Sequence, residues 1–262
     1  MSEPLPATPP VSRQSVSVRV QGLRKSYAGA PVLKGIDFEV QRGEIFVIMG
    51  PSGSGKSVLL KHIIGLEAPD EGDIFIEGES VRTEGVMSKY RMALVFQSGA
   101  LLNSLNVIEN VGLYLSEHRL KKPEEITRIA TEKLEFLGLK NVATRNPAEL
   151  SGGMKKRVAI ARALVIEPQL ILYDEPTSEL DPLSAVVIGE EILNLQKRIH
   201  VTSLVVTHDR DLAFGIADRI AVMHEGEILA LGTVEEIKRH KHPVIHRFLN
   251  ADFRPNHEQE QP

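Results

Sequence analysis

The chain of 262 residues is 42% hydrophobic and 25% charged, enough apolar material for one large or two small globular domains. A formal net charge of −4 gives no basic footprint for nucleic acid, and the absence of cysteine excludes disulfides and cysteine-ligated metals. No uninterrupted apolar run approaches the roughly 18 residues needed to cross a bilayer, and the cytoplasm is the expected location.

Residues 1–15 carry Pro4, Pro6, Pro9 and Pro10 with few large apolar side chains, and are expected to form a disordered leader without an apolar secretory segment. Val16, Val18 and Val20 alternate with polar residues and mark the first half-buried strand. Tyr27 follows as a lone aromatic between strands, and a second strand is expected from about Val32 to Val40. The apolar run Glu44 to Met49 reads as a buried strand, and Val58 to Ile64 as a helix. Pro69 to Asp73 is a turn, Ile74 to Ile76 a short strand, and Arg91 to Phe96 an apolar strand ending at Gln97.

From about Ser98 to Leu164 the periodicity turns helical, with helices expected at Val107 to Leu115, Pro123 to Leu137 and Met154 to Leu164; this block reads as an inserted subdomain. Strands return at Leu170 to Tyr173, Ser203 to Thr207, Ile220 to Met223 and Ile228 to Ala230, with helices at Leu183 to Arg198 and Leu212 to Ala217. Two short helices, Val234 to Arg239 and Val244 to Leu249, precede a polar tail from Ala251. Strands alternating with helices argue for an α/β fold on a mostly parallel sheet, whose ligand site lies at the carboxyl ends of its strands.

Those strand ends carry the chemistry. Gly50-Pro51-Ser52-Gly53-Ser54-Gly55-Lys56-Ser57 fits G-x-x-x-x-G-K-[ST], a loop whose backbone N–H groups wrap nucleotide phosphates. Strand before and helix after are the context it needs, because phosphates sit on a helix N-terminus. Lys56 is placed for the terminal phosphates and the Ser57 hydroxyl for Mg²⁺. Asp174 closes an apolar strand, as does the carboxylate that shares Mg²⁺ with the loop hydroxyl. Glu175 beside it suits a general base for an attacking water, and His208, ending the next strand, suits a group that orients that glutamate. Gln97 reads either as an amide ligand to Mg²⁺ or water, or as a plain loop glutamine. Tyr27 reads either as a packing residue or as a ring stacked on a purine base.

Leu150-Ser151-Gly152-Gly153-Met154 stands before a helix carrying Lys155, Lys156 and Arg157. It reads as a second anion-binding nest or as a simple helix cap. One nucleotide does not need two cradles. A second one far from the first would serve a nucleotide held by another copy, which predicts a head-to-tail dimer with ATP sandwiched between subunits.

In this order, Tyr27, Gly50 to Ser57, Gln97, Leu150 to Met154, Leu170 to Glu175, Ser178 to Asp181 and His208 resemble an ATP-binding cassette (ABC) ATPase subunit over about residues 16 to 240. The resemblance implies a RecA-like P-loop NTPase core with an antiparallel β subdomain and an inserted α-helical subdomain at about 98–164. The nucleotide-binding domain would span 16–250, followed by a flexible tail at 251–262. It implies ATP and Mg²⁺ as cofactors, base stacking for Tyr27, and Mg²⁺ ligation by Ser57, Gln97 and Asp174. Glu175 takes the catalytic glutamate role and His208 the switch histidine role. Ser151, Gly152 and Gly153 take the signature role in trans, and Ser178 and Asp181 lie at the dimer interface.

The chain departs from the family at Met154, usually Gln, and at Glu179, where Gly or Ala is commoner. Met154, together with Phe96-Gln97-Ser98-Gly99-Ala100-Leu101-Leu102 and Asn106-Val107-Ile108-Glu109-Asn110-Val111, resembles the ATPases of MCE-type and Mla lipid transporters. That likeness implies a second copy of the chain, integral membrane permease subunits and an MCE-domain protein as partners. It also implies peripheral attachment at the cytoplasmic face of the inner membrane and no nucleic acid. The competing reading is the ATPase of an importer for a small solute such as an amino acid. Soluble ABC proteins of translation or repair usually carry two cassettes or a long coiled-coil insert, and a phosphate-loop kinase leaves Ser151 to Met154 unexplained.

Overall fold

Alternation of buried and exposed residues sets the first sheet, in which β1 (Val18–Tyr27) and β2 (Ala30–Val40) form an antiparallel hairpin. The computed structural model describes residues 15–250, so the expected leader, save Ser15, and the tail from Ala251 lie outside the described residues. β3 (Ile45–Met49) follows, then α1 (Lys56–Ile63), β4 (Glu71–Ile76), β5 (Glu79–Ser80) and the short α2 (Val86–Lys89). β6 (Met92–Val95) leads into the helical block of α3 (Val107–Glu117), α4 (Pro123–Phe136) and α5 (Gly152–Leu164). The chain then runs through β7 (Leu170–Asp174), α6 (Pro182–Ile199), β8 (Thr202–Thr207) and α7 (Arg210–Ile216). It closes with β9 (Arg219–His224), β10 (Glu227–Gly232), α8 (Val234–Lys238) and α9 (Pro243–Leu249).

Two sheets result: an antiparallel one in the order β2-β1-β4-β5, and a six-stranded one in the order β10-β9-β3-β8-β7-β6. The larger sheet is parallel from β9 to β6, and only the edge strand β10 runs antiparallel, returning through a turn at Glu225-Gly226. β3 explains why its sequence is a continuous apolar run. Ile45, Val47 and Met49 join a core shared with α3 to α7, whereas Phe46 and Ile48 face the core between this sheet, α1 and the antiparallel sheet. A strand covered on both faces cannot alternate.

β4 begins at Glu71, inside the stretch expected as a turn, β5 and α2 were not expected, and three elements beside the site differ as well. α1 begins at Lys56 itself rather than at Val58, so the helix starts inside the phosphate loop. β1 continues past Val20 to Tyr27, because Gly22 (φ +56°) absorbs a shift of register between Val20 and Leu23 and its N–H bonds Asp37 Oδ1 at 2.8 Å. α5 begins at Gly152, two residues before the expected start, with Ser151 as its cap.

Candidate nucleotide site

β3, β8 and β7 are neighbours in the sheet, so the residues that follow them meet at one edge. After β3 the loop turns away at Gly50, whose N–H bonds Thr207 O at 3.2 Å. A Cβ at Gly50 would stand 2.0 Å from Met223 O, so only glycine fits. Gly53 and Gly55 take φ +81° and +104°, the left-handed region open to glycine. Gly55 also packs against Val32 O and Leu33 of the β1–β2 hairpin, which brings the hairpin ending in Tyr27 alongside the loop.

The loop is built to take an anion. α1 has no acidic residue in its first turn and no side-chain cap, leaving its N–H groups free. Ser54 Oγ is buried with no hydrogen-bond partner. Lys56, 5% exposed, donates to Gly50 O at 2.9 Å and Pro51 O at 3.0 Å, and stands 3.4 Å from Glu175 Oε1. Ser57 Oγ donates to Asp174 Oδ1 at 2.7 Å. A hydroxyl and a carboxylate paired this way are the oxygen donors a Mg²⁺ ion takes, and the loop suits the phosphates of ATP. Burial, reinforced by the neighbouring Glu175 charge, pushes the Asp174 carboxyl above the usual range against the Ser57 hydrogen bond and the Lys56 charge.

Glu175 is buried and held at both ends. Its Oε2 lies 2.8 Å from His208 Nδ1 and accepts the His208 N–H at 3.2 Å. Its backbone sits at φ +47°, unusual for a residue with a Cβ, and its N–H bonds Val206 O at 2.9 Å. The His208 side chain is 53% exposed, so one end of this pair faces solvent. Next to it, Thr177 Oγ1 donates to Asp209 Oδ2 at 3.0 Å, linking the segment after β7 to the cap of α7.

The remaining sequence-assigned residues lie further out. The Tyr27 hydroxyl bonds Glu67, which pushes the phenol up to about 12, and its ring stays 40% exposed with Lys25 Nζ 5.5 Å from its centroid. Gln97 is exposed and is fixed through its backbone carbonyl, which accepts from Lys156. Ser151 Oγ caps α5 through Met154 N at 3.3 Å, as the cap reading expects. Gly152 and Gly153 pack on Leu180 and Ser184. Asp181 caps α6, accepting from Leu183 N at 3.1 Å and Ser184 N at 3.0 Å, while Ser178 Oγ donates to Glu175 O at 2.9 Å. Position 179 has φ +64°, which explains why glycine suits it; here Glu179 occupies it.

One residue escaped the sequence reading. Lys156 stands between Lys155 and Arg157 and looks like part of a solvated basic face, yet it is 6% exposed. The available signal was helical spacing, which aligns it with buried Ala159, Ile160 and Ala163.

A strand, a glycine loop closing on a helix start, and a hydroxyl–carboxylate pair on the neighbouring strand end define a phosphate-loop nucleotide hydrolase. Residues 33–178 match the ABC transporter family, and the chain belongs to it. It is 37% identical over 240 residues to the "probable ribonucleotide transport ATP-binding protein mkl" of Mycobacterium leprae, covering 90% of this chain and 69% of that protein. It is 38% identical over 261 residues to the chloroplastic protein "trigalactosyldiacylglycerol 3" of Arabidopsis thaliana, covering 91% of this chain and 74% of that protein. Among solved structures, a dimeric ATP-binding cassette in a post-hydrolysis state with ADP and Pi matches at TM-score 0.75. It is 33% identical, covering 83% of this chain and 98% of that one. The protein is an ABC cassette of α/β fold, with an antiparallel β subdomain and a helical subdomain, that hydrolyses ATP for transport.

Proposed function

We propose that the chain is the motor of a lipid transporter, working as an ATP-sandwich homodimer that grips MCE-type permease subunits at the cytoplasmic face of a membrane. Among the described residues no helix is long and apolar enough to cross a membrane, so attachment runs through the permease. The observation that carries the lipid reading is the segment Phe96 to Leu102 with Asn106 to Val111. Phe96, Ala100 and Leu102 of the first stretch wall a groove of about 500 Å³ beside the edge strand β6, together with Tyr114 of α3; Phe96, Leu102 and Tyr114 are 38%, 45% and 44% exposed. A permease helix seated there touches the segment that bears Gln97. The Arabidopsis relative, named for a glycolipid, supports the lipid cargo.

In hydrolysis the loop N–H groups and Lys56 hold the phosphates of ATP, with Tyr27 against the base. Ser57, Asp174 and Gln97 would hold Mg²⁺, which would supply neutralisation of charge on the terminal phosphates. Glu175 takes the proton of the attacking water, and His208 fixes the carboxylate through Nδ1. Ser151, Gly152 and Gly153 complete the site of the other copy, with Ser178 and Asp181 at that interface. Replacing Glu175 with Gln leaves MgATP binding and dimerisation intact and lowers turnover by about 10²–10⁴, measured by phosphate release beside size-exclusion in MgATP. Turnover near wild type would remove Glu175 from the role of base.

A second reading, a small-solute importer, is favoured by the Mycobacterium relative's name, which refers to ribonucleotide transport. Purification of the native complex separates the two. The lipid reading expects an MCE-domain protein with the permease. A permease accompanied by a solute receptor and no MCE protein would sink it.

A further inference from the structure

The buried ammonium of Lys156 lies on the second turn of α5 and reaches three oxygens from three different segments. It donates to Gln97 O after β6, to Glu175 O at 3.2 Å after β7, and to Ser178 Oγ at 3.4 Å before α6. Among the described residues no carboxylate comes within ion-pair distance of it, so a buried charge is held by neutral oxygens alone. Burial pulls the ammonium below its usual range, only partly offset by Glu179, Asp174 and Glu175. A charge kept where apolar packing would fill the space points to a task beyond stability.

The task is visible at Glu175. Its peptide sits at φ +47° and must be held from outside. The amide side is held by Val206 O at 2.9 Å, and the carbonyl side accepts from Lys156, from Ser178 Oγ at 2.9 Å and from Ser178 N at 3.2 Å. The carboxylate leaves the same residue toward His208 and Lys56. We propose that Lys156 is a positioning residue for hydrolysis: it clamps the backbone of Glu175 to that of Gln97, so that the carboxylate is aimed at the water only when the segment beside the permease groove is in place. The proposal rests on the reading of Glu175 as the base.

The test uses the full-length protein and compares Lys156→Met, Lys156→Arg, Glu175→Gln and the double variant Lys156→Met/Glu175→Gln. Lys156→Met is expected to bind MgATP within about threefold of wild type and to lose tenfold or more in kcat. Lys156→Arg, which keeps the charge and donors, recovers most of that loss. In the Glu175→Gln background Lys156→Met removes little more, because the group it positions has already lost its function. A kcat within twofold of wild type for Lys156→Met overturns the proposal, as does an unchanged kcat with collapsed MgATP affinity, or a loss that multiplies fully with Glu175→Gln. If Lys156→Met does not fold, Ser178→Ala withdraws another donor from the same carbonyl. A drop in kcat with unchanged MgATP affinity then supports the clamp, and an unchanged kcat overturns it. Glu175→Gln alone reports on the base assignment, so normal turnover there identifies failure of that reading rather than of the clamp.

Discussion

At the scale of single residues, the site places charges where their ionisation works against the fold. Asp174 is half-buried at the end of β7, next to Glu175, and its carboxyl is held above its ordinary value chiefly by burial. The folded state therefore keeps the proton to higher pH than the unfolded chain, whose Asp titrates near 4. The penalty is absent below the unfolded value, grows as pH rises through the folded pKa, and is complete above it. Asp174→Asn removes this penalty while keeping an oxygen for Ser57. The variant without nucleotide is expected to melt higher than wild type at neutral pH, and the gap to narrow as pH falls toward 4, by calorimetry across pH. Its Mg²⁺-supported turnover is expected to fall by about 10² or more, and added MgATP to raise its melting temperature less than that of wild type. A variant that melts lower than wild type at pH 7 would contradict the assignment of burial as the dominant cause. Asp174 and Lys56 were legible because an apolar run and a glycine pattern announce them. Lys156 was not, because two adjacent cations mask a buried one.

At the scale of elements, the segment between β6 and α3 has no regular structure; Lys156 and Arg162 hold its first half through Gln97 O, Gly99 O and Ala100 O, and Asn110 ties its second half. Asn110 is fully buried; its Oδ1 accepts from Leu102 N at 2.8 Å and its Nδ2 donates to Leu102 O, Leu105 O and Asn106 O, each at 3.0 Å. The capping box of Asn106 and Glu109 starts α3 just before it. Asn110→Ala strands the N–H of Leu102 and the carbonyl of Leu105, while Leu102 O keeps the Leu105 N–H, at a cost of about 1–3 kcal/mol. Chemical denaturation is expected to report that loss. Hydrogen exchange is expected to speed up first at residues 102–106, which Asn110 ties, with the phosphate loop unaffected. Uniform acceleration across the chain would argue against a local tie. The buried strands β3, β7 and β8 were readable as apolar runs, and α3 and α4 from their helical period. α2, four residues long, is too short to show a period, and β1 hides its length because Gly22 breaks the alternation.

At the scale of the molecule, one subunit carries the phosphate loop and a second glycine turn at a helix start, and its own contacts place them in different settings. The phosphate loop sits at the sheet edge against Met223, Thr207 and Glu175, whereas Ser151 to Gly153 lies against Leu180 and Ser184 at the start of α6. Ser151 and Gly152 are both exposed, with the N-terminus of α5 behind them. An exposed helix start without an acidic residue in its first turn favours a negative group, and in the proposed sandwich the γ-phosphate held by another copy supplies one. Head-to-tail pairing then makes each site from both chains. Replacing Ser151 with Phe is expected to leave ATP affinity at the Lys56 loop within about threefold and to lower hydrolysis by about 10². Mixing carries the decisive arm. Lys56→Ala removes the phosphate contact but keeps Ser151, so a mixed dimer with Ser151→Phe holds one intact composite site. Hydrolysis in the mixture is expected to exceed that of either variant alone and to peak near equal ratios. If ATP affinity of the isolated Ser151→Phe subunit collapses, or mixing restores nothing, the second cradle serves its own subunit and the sandwich fails.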